Sequence, residues 1–88
     1  MPWVYMIRNR GNKIYIGVSK HPLKRLSEHN HKKGALFTKN NPSFKTVLLE
    51  EYPTFLEARK REIQIKKWRR DKKDKLIAKS LQGLETKM

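Results

Sequence analysis

Cysteine is absent from the chain, which excludes both a disulfide framework and thiolate metal sites. Acidic residues are scarce, 8 against 22 Lys and Arg, leaving a formal net charge of +14. No apolar run approaches the ~20 residues a membrane-spanning helix needs, and no lipidation motif accompanies the charge, so an anionic membrane is a poor partner. The first residues lack the apolar core of a signal peptide, since charges begin at Arg8, and the expected location is the cytoplasm. There is no internal repeat and no stretch rich in glycine or proline to act as a linker. The 88 residues therefore predict one domain over residues 1–82, with 83–88 as a flexible tail.

What is present begins with a hairpin. Val4-Tyr5-Met6-Ile7 and Ile14-Tyr15-Ile16-Gly17-Val18 are β-favouring, and Asn9-Arg10-Gly11-Asn12 between them carries turn residues. An odd loop of about three residues, with Gly11 at positive φ, sets Arg8 against Asn12 and Tyr5 against Tyr15. Both phenols then share one face, while Val4, Met6, Ile14, Ile16 and Val18 share the other. Gly17 beside them leaves room for a backbone or ligand to come close.

Ser19-Lys20-His21-Pro22 ends the hairpin and starts a helix to about His31, with Leu23 and Leu26 facing the sheet and Gly34 as its C-cap. Arg25 and His29, four apart, project from one side of it. Residues 35–43 read as a loop and Phe44–Tyr52 as a third strand. Thr54 and Glu57 form a capping box opening a second helix to about Arg70, and Asp71 starts a third carrying Leu76, Ile77 and Leu81. The order predicts an α+β domain, a small three-stranded antiparallel sheet flanked by about three helices.

On the second helix, Phe55, Leu56, Ala58, Ile63 and Ile65 spread over one apolar arc. Glu62 falls within that arc, roughly 20° from Phe55 at about 100° per residue. A carboxylate on a packing face costs free energy unless a cation, a metal or hydrogen-bond donors meet it. Two accounts stand, a salt bridge to Arg25, Arg59 or Lys66, or a metal ligand. The basic set Lys60, Arg61, Lys66, Lys67, Arg69, Arg70, Lys72 and Lys73 reads as a phosphate-binding surface, with Trp68 as a core anchor within it.

Val4-Tyr5, about ten residues, and Tyr15-Ile16-Gly17 resemble the signature of the GIY-YIG nuclease domain, in particular its small stand-alone bacterial members. The order of elements is similar too, and the likeness spans roughly residues 3–82. It implies a metal-dependent endonuclease acting on DNA, in repair or recombination, with Tyr5 and Tyr15 around the attacking water and one of them as general base. Free tyrosine has a pKa of about 10, so that base needs help from a nearby cation or the metal's water network. The resemblance further implies Arg25 as the guanidinium that stabilises the phosphorus centre, with His29 assisting by hydrogen bonding or proton transfer. It makes Glu62 the single ligand of one Mg²⁺ or Mn²⁺, bound weakly until substrate phosphate completes the shell. It adds Thr38, after Phe37, as a substrate contact. Trp3 stands where the signature has its first glycine, and Gln82 where many members have an asparagine. Larger relatives carry a recognition domain, so a targeting protein partner is expected here. The alternative is a non-catalytic nucleic-acid-binding protein on the same scaffold, and a third class is a basic protein–protein adaptor.

The charge yields a first prediction. Affinity for a DNA duplex, followed by fluorescence anisotropy, falls steeply as salt rises, because bound phosphates release their counter-ions. An absence of salt-dependent DNA binding would instead favour the adaptor.

Overall fold

The structure, a computed structural model, describes residues 1–36 and 44–87, with the side chains of 31–36 left aside. Strands β1 (Trp3–Arg8), β2 (Ile14–Ser19) and β3 (Lys45–Glu51) form one antiparallel sheet in the order β2-β1-β3. Three helices accompany it, α1 (Pro22–Leu36), α2 (Phe55–Lys66) and α3 (Arg70–Leu81). The α+β class and three-strand, three-helix architecture follow the sequence reading.

The hairpin register differs from the expectation by two residues. Arg8 pairs with Ile14, so the loop is Asn9–Lys13, and Tyr5 faces Gly17 while Ile7 faces Tyr15. Asn12, not Gly11, takes the left-handed conformation, at φ 66. The loop is closed by Asn9 N–H to the Lys13 carbonyl at 3.1 Å, Asn12 N–H to the Asn9 carbonyl at 2.9 Å and Lys13 N–H to Asn9 Oδ1 at 2.9 Å. The loop remains odd in length, so the two faces keep their expected residues.

One face carries the main core. Val4, Met6 and Leu48 pack with Ala58 and Ile65 of α2 and Leu76 and Ile77 of α3, edged by Ile14, Ile16 and Val18. Val47 joins the same cluster although it neighbours Leu48. The register slips there, Met6 pairing with Leu48 but Ile7 with Thr46, and this bulge turns two consecutive side chains inward. The opposite face, with Tyr5, Ile7 and Tyr15, receives α1.

Helix boundaries show what packing overrides. His21 supplies the first carbonyl of α1, accepting from Arg25 N–H at 3.0 Å, and Pro22 is the first helical residue as expected. The helix continues through Gly34 to Leu36, a glycine costing a helix only about 1 kcal/mol. Leu26 is half-buried, but Leu23 is 64% exposed and does not face the sheet. Thr54 caps α2, its Oγ1 accepting from Glu57 N–H at 3.2 Å. That helix stops at Lys66, not Arg70, and Arg69 in extended conformation starts α3. Gly83 at φ 76 ends α3, its N–H bonding Ser80 O at 3.0 Å and Leu84 N–H bonding Lys79 O at 2.9 Å. Beyond it, Thr86 O accepts from Arg61 Nη2, and Lys87 reaches the Glu51 carbonyl.

The apolar arc expected on α2 is also revised. Phe55, Leu56 and Ile63 are exposed, and the buried residues are Ala58, Arg61, Glu62 and Ile65. Arg61 therefore leaves the phosphate-binding set. Its Nε and Nη2 grip Glu50 of β3 at 2.9 and 3.2 Å, Nη1 reaches Gln64 at 2.8 Å, and its guanidinium lies 5.2 Å from the Trp68 ring. Tyr52 donates to the same Glu50 carboxylate at 2.9 Å. Burial alone would raise the Glu50 pKa, but hydrogen bonds from Arg61, Thr86 and Tyr52 hold it below its ordinary value. Burial and the Glu50 carboxylate push the Tyr52 phenol up to about 12.

Removing one partner of such a buried pair costs about 3–5 kcal/mol, so Arg61→Ala sharply lowers the denaturation midpoint. Arg61→Met with Glu50→Leu, which leaves no buried charge alone, loses much less. With pH, the Glu50 contribution is present above 4.5 and lost as pH falls through the lower folded value. The Tyr52 contribution is present below pH 10.0 and lost as pH rises towards about 12. Thermal midpoints against pH check both legs, and Tyr52→Phe removes the alkaline loss while keeping an acid one.

Candidate active site

On the α1 face of the sheet, a cavity of about 160 Å³ is lined by Tyr5, Ile7, Tyr15, Arg25, Glu28 and His29. The strands bring the two phenols and α1 brings the charged groups, because Arg25, Glu28 and His29 at i, i+3 and i+4 project together. Tyr5 is held by contact with β2. A Cβ on Gly17 would lie 2.5 Å from Tyr5 Oη and 2.7 Å from Cζ, so the ring rests on the bare glycine backbone. The close approach expected at Gly17 is thus made by the Tyr5 ring itself.

Tyr15, His29 and Phe44 form an edge-to-face trio, with ring centroids 4.9 Å apart for Tyr15–His29, 4.6 Å for His29–Phe44 and 5.8 Å for Tyr15–Phe44. The neighbour of His29 fixes this arrangement. Asn30 accepts from Phe44 N–H at 2.8 Å and donates to its carbonyl at 3.0 Å, imitating one rung of a strand pairing. Asn30 and Glu28 were not singled out from the sequence as site residues. The signal available for Glu28 was its place one turn after Arg25, and for Asn30 there was none without the third dimension.

Arg25 and Glu28 form no salt bridge with each other, and among the described residues Arg25 is engaged in none. Its exposed fork of donors is available to an anion entering the cavity.

Glu62 is not among the residues lining that cavity. It is only 5% exposed, with Oε1 held by Arg59 at 3.1 Å and Oε2 by Lys66 at 3.1 Å. Both cations come from its own helix, and Arg25 takes no part. Among the described residues no group of three or more His, Cys, Asp and Glu could cage a metal. The donor set does fit a hard divalent ion that takes one carboxylate and completes its shell with water and phosphate. The two covering cations are themselves exposed, and each carboxylate oxygen keeps a further lone pair.

A second, wider hollow of about 760 Å³ runs beside β2, lined by Gly11–Ile16 of the hairpin with Lys66, Arg70 and Lys73. Tyr15 borders both spaces. Arg70 is anchored to Asp74 at 3.0 Å and to the Asn12 carbonyl at 2.6 Å, joining α3 to the hairpin loop. Of the remaining basic set, Lys72 lies 4.3 Å over the partly buried Trp68 ring, away from this hollow, which supports Trp68 as a core anchor. Lys67 and Gln82 are exposed C-cap residues of α2 and α3 and line neither space. Thr38 lies outside the described residues. No helix among the described residues is long and apolar enough to cross a membrane.

Residues 1–75 match the family described as the GIY-YIG catalytic domain. A UPF0213 protein of Staphylococcus saprophyticus is 37% identical over 76 residues, covering 86% of this chain and 93% of that protein. A UPF0213 protein of Staphylococcus epidermidis is 37% identical over 75 residues, covering 85% and 92%. Among solved structures, the solution NMR structure of a UPF0213 protein from Bacillus halodurans aligns with a TM-score of 0.57 at 28% identity, over 89% of this chain and 84% of that one.

The Gly17 contact gives the prediction for this site. Gly17→Ala forces the Tyr5 ring off β2 at a cost of about 1–3 kcal/mol, the range for overpacking. Aromatic NMR resonances of Tyr5 shift strongly in that variant while those of Trp68, on the other face, stay in place.

Proposed function

The chain belongs to the GIY-YIG catalytic domain family, and from that membership we propose that it is a metal-dependent endonuclease hydrolysing DNA phosphodiester bonds, in repair or recombination. GIY-YIG domains are generally endonucleases that use a divalent metal. The observation that carries the reading is the single cavity shared by Tyr5, Tyr15, Arg25 and His29. Its volume suits a phosphodiester group and an attacking water, a water's share of liquid being about 30 Å³.

In this reading, Tyr5 and Tyr15 flank the water, and one of them accepts its proton as the new phosphorus–oxygen bond forms. Arg25 donates to the non-bridging oxygens as charge gathers on them, and its fork favours that geometry over a ground-state diester. His29 lines the cavity, packed edge-to-face between Tyr15 and Phe44, and assists by hydrogen bonding or proton transfer. Glu62 would hold Mg²⁺ or Mn²⁺, which when bound polarises the phosphate and eases departure of the leaving oxygen. Lys66 belongs to the substrate-binding surface by its place in the basic hollow, and Lys67 and Gln82 are assigned to its outer reaches. DNA is the expected partner and the cytoplasm the expected compartment. A separate protein that directs the nuclease to its substrate belongs to the same reading.

Incubation of DNA with purified protein and Mg²⁺ or Mn²⁺ tests this. Cleavage is abolished by EDTA and falls by about 10²-fold or more in Arg25→Ala and Tyr5→Phe, the scale of a lost oxyanion donor or general base. Glu62→Ala falls likewise. Cleavage that persists undiminished in Glu62→Ala and Tyr5→Phe marks a contaminant, and binding without cutting under any metal supports the non-catalytic alternative.

A further inference from the structure

Lys66 occupies two sites at once. Its ammonium is the counter-ion of Glu62 Oε2 at 3.1 Å, and its side chain lines the basic hollow that Tyr15 shares with the catalytic cavity. Among the described residues no other cation does both. Arg59 holds Glu62 Oε1 at 3.1 Å but does not line the hollow. Lys13 and Lys73 line the hollow and form no salt bridge among the described residues, while Arg70 is tied to Asp74 and the Asn12 carbonyl.

We propose that Lys66 is an exchangeable counter-ion that releases Glu62 for the divalent metal when a nucleic-acid backbone enters the hollow. The inference rests on the reading of Glu62 as metal ligand in a DNA nuclease, and adds what keeps that ligand covered until substrate arrives. Lys66 is about half exposed, on a flexible stem with three donors, and an ion pair of that kind exchanges partners readily. A phosphate between Lys13, Lys66 and Lys73 draws the ammonium into the hollow. Glu62 is then left with an uncompensated oxygen in a site only 5% exposed, which a dication relieves. Substrate and metal therefore bind with positive coupling through one side chain. In the free protein Lys66 and Arg59 together neutralise the carboxylate and discourage metal binding.

Mn²⁺ binding to the full chain, read by electron paramagnetic resonance with and without a phosphorothioate DNA duplex and with the DNA-only signal subtracted, tests the coupling. The readout is the ratio of the two dissociation constants. In Lys66→Gln that ratio falls below the wild-type ratio by about three- to thirtyfold, the range between an exposed pair and a partly buried one. Arg59→Gln binds Mn²⁺ more tightly in both states but keeps the wild-type ratio, which a general loss of positive charge cannot explain for Lys66 alone. By linkage, Mn²⁺ tightens DNA binding by the same factor in anisotropy titrations. An unchanged ratio in Lys66→Gln overturns the proposal while leaving Glu62 as ligand. If Glu62→Gln binds Mn²⁺ as the wild type does in the presence of DNA, the metal reading itself fails and the coupling falls with it.

Discussion

Side-chain alternation along the first hairpin governs the molecule. An odd loop sends Val4, Met6, Ile14, Ile16 and Val18 to one side and Tyr5, Ile7 and Tyr15 to the other. The apolar side needs two helices to cover it, and α2 and α3 do so. Among the described helices the tyrosine side receives α1 alone, and a small cavity lies between helix and sheet. A loop one residue longer or shorter would exchange the two sets along one strand, and core and cavity would be lost together.

That parity was legible because it depends only on counting. The register was not, because Asn9-Arg10-Gly11-Asn12 allows more than one odd loop, and the choice fell to Asn9 and Asn12 rather than to Gly11. Asn12 tolerates the left-handed conformation, and its carbonyl is also claimed by Arg70, a partner 58 residues away. The exposure of Phe55, Leu56 and Ile63 was hidden for a similar reason. A hydrophobic arc on a wheel does not show that Arg61 pairs with Glu50 of β3 and so lies on the buried side of α2 with Ala58 and Ile65. Glu62 is buried as expected, but its buried neighbours on α2 are Ala58, Arg61 and Ile65 rather than the exposed Phe55 from which the arc was drawn.

The two buried carboxylates, Glu50 and Glu62, are held by counter-ions of different kinds. Glu50 is held by a guanidinium that is itself buried, supported by Tyr52, Gln64, Trp68 and the Thr86 carbonyl. Tyr52 holds the carboxylate while Gln64, Trp68 and the Thr86 carbonyl hold the arginine, so the pair behaves as a fixed strut between α2 and β3. Glu62, one residue along, is held by two side chains that stand in solvent. Buried and solvent-exposed counter-ions thus stand on the same helix.

The slip in pairing at Val47 reaches beyond the core. Both β2 and β3 are outer strands, each with one row of backbone groups that a neighbouring molecule could in principle extend. On β3 the bulge interrupts a regular run, and Lys45 and Glu51 place a charge at either end. An extended strand docking there would meet a break in hydrogen-bond spacing partway along. The irregularity that fits one more valine inside therefore also makes the β3 edge a poor template for fibrous growth.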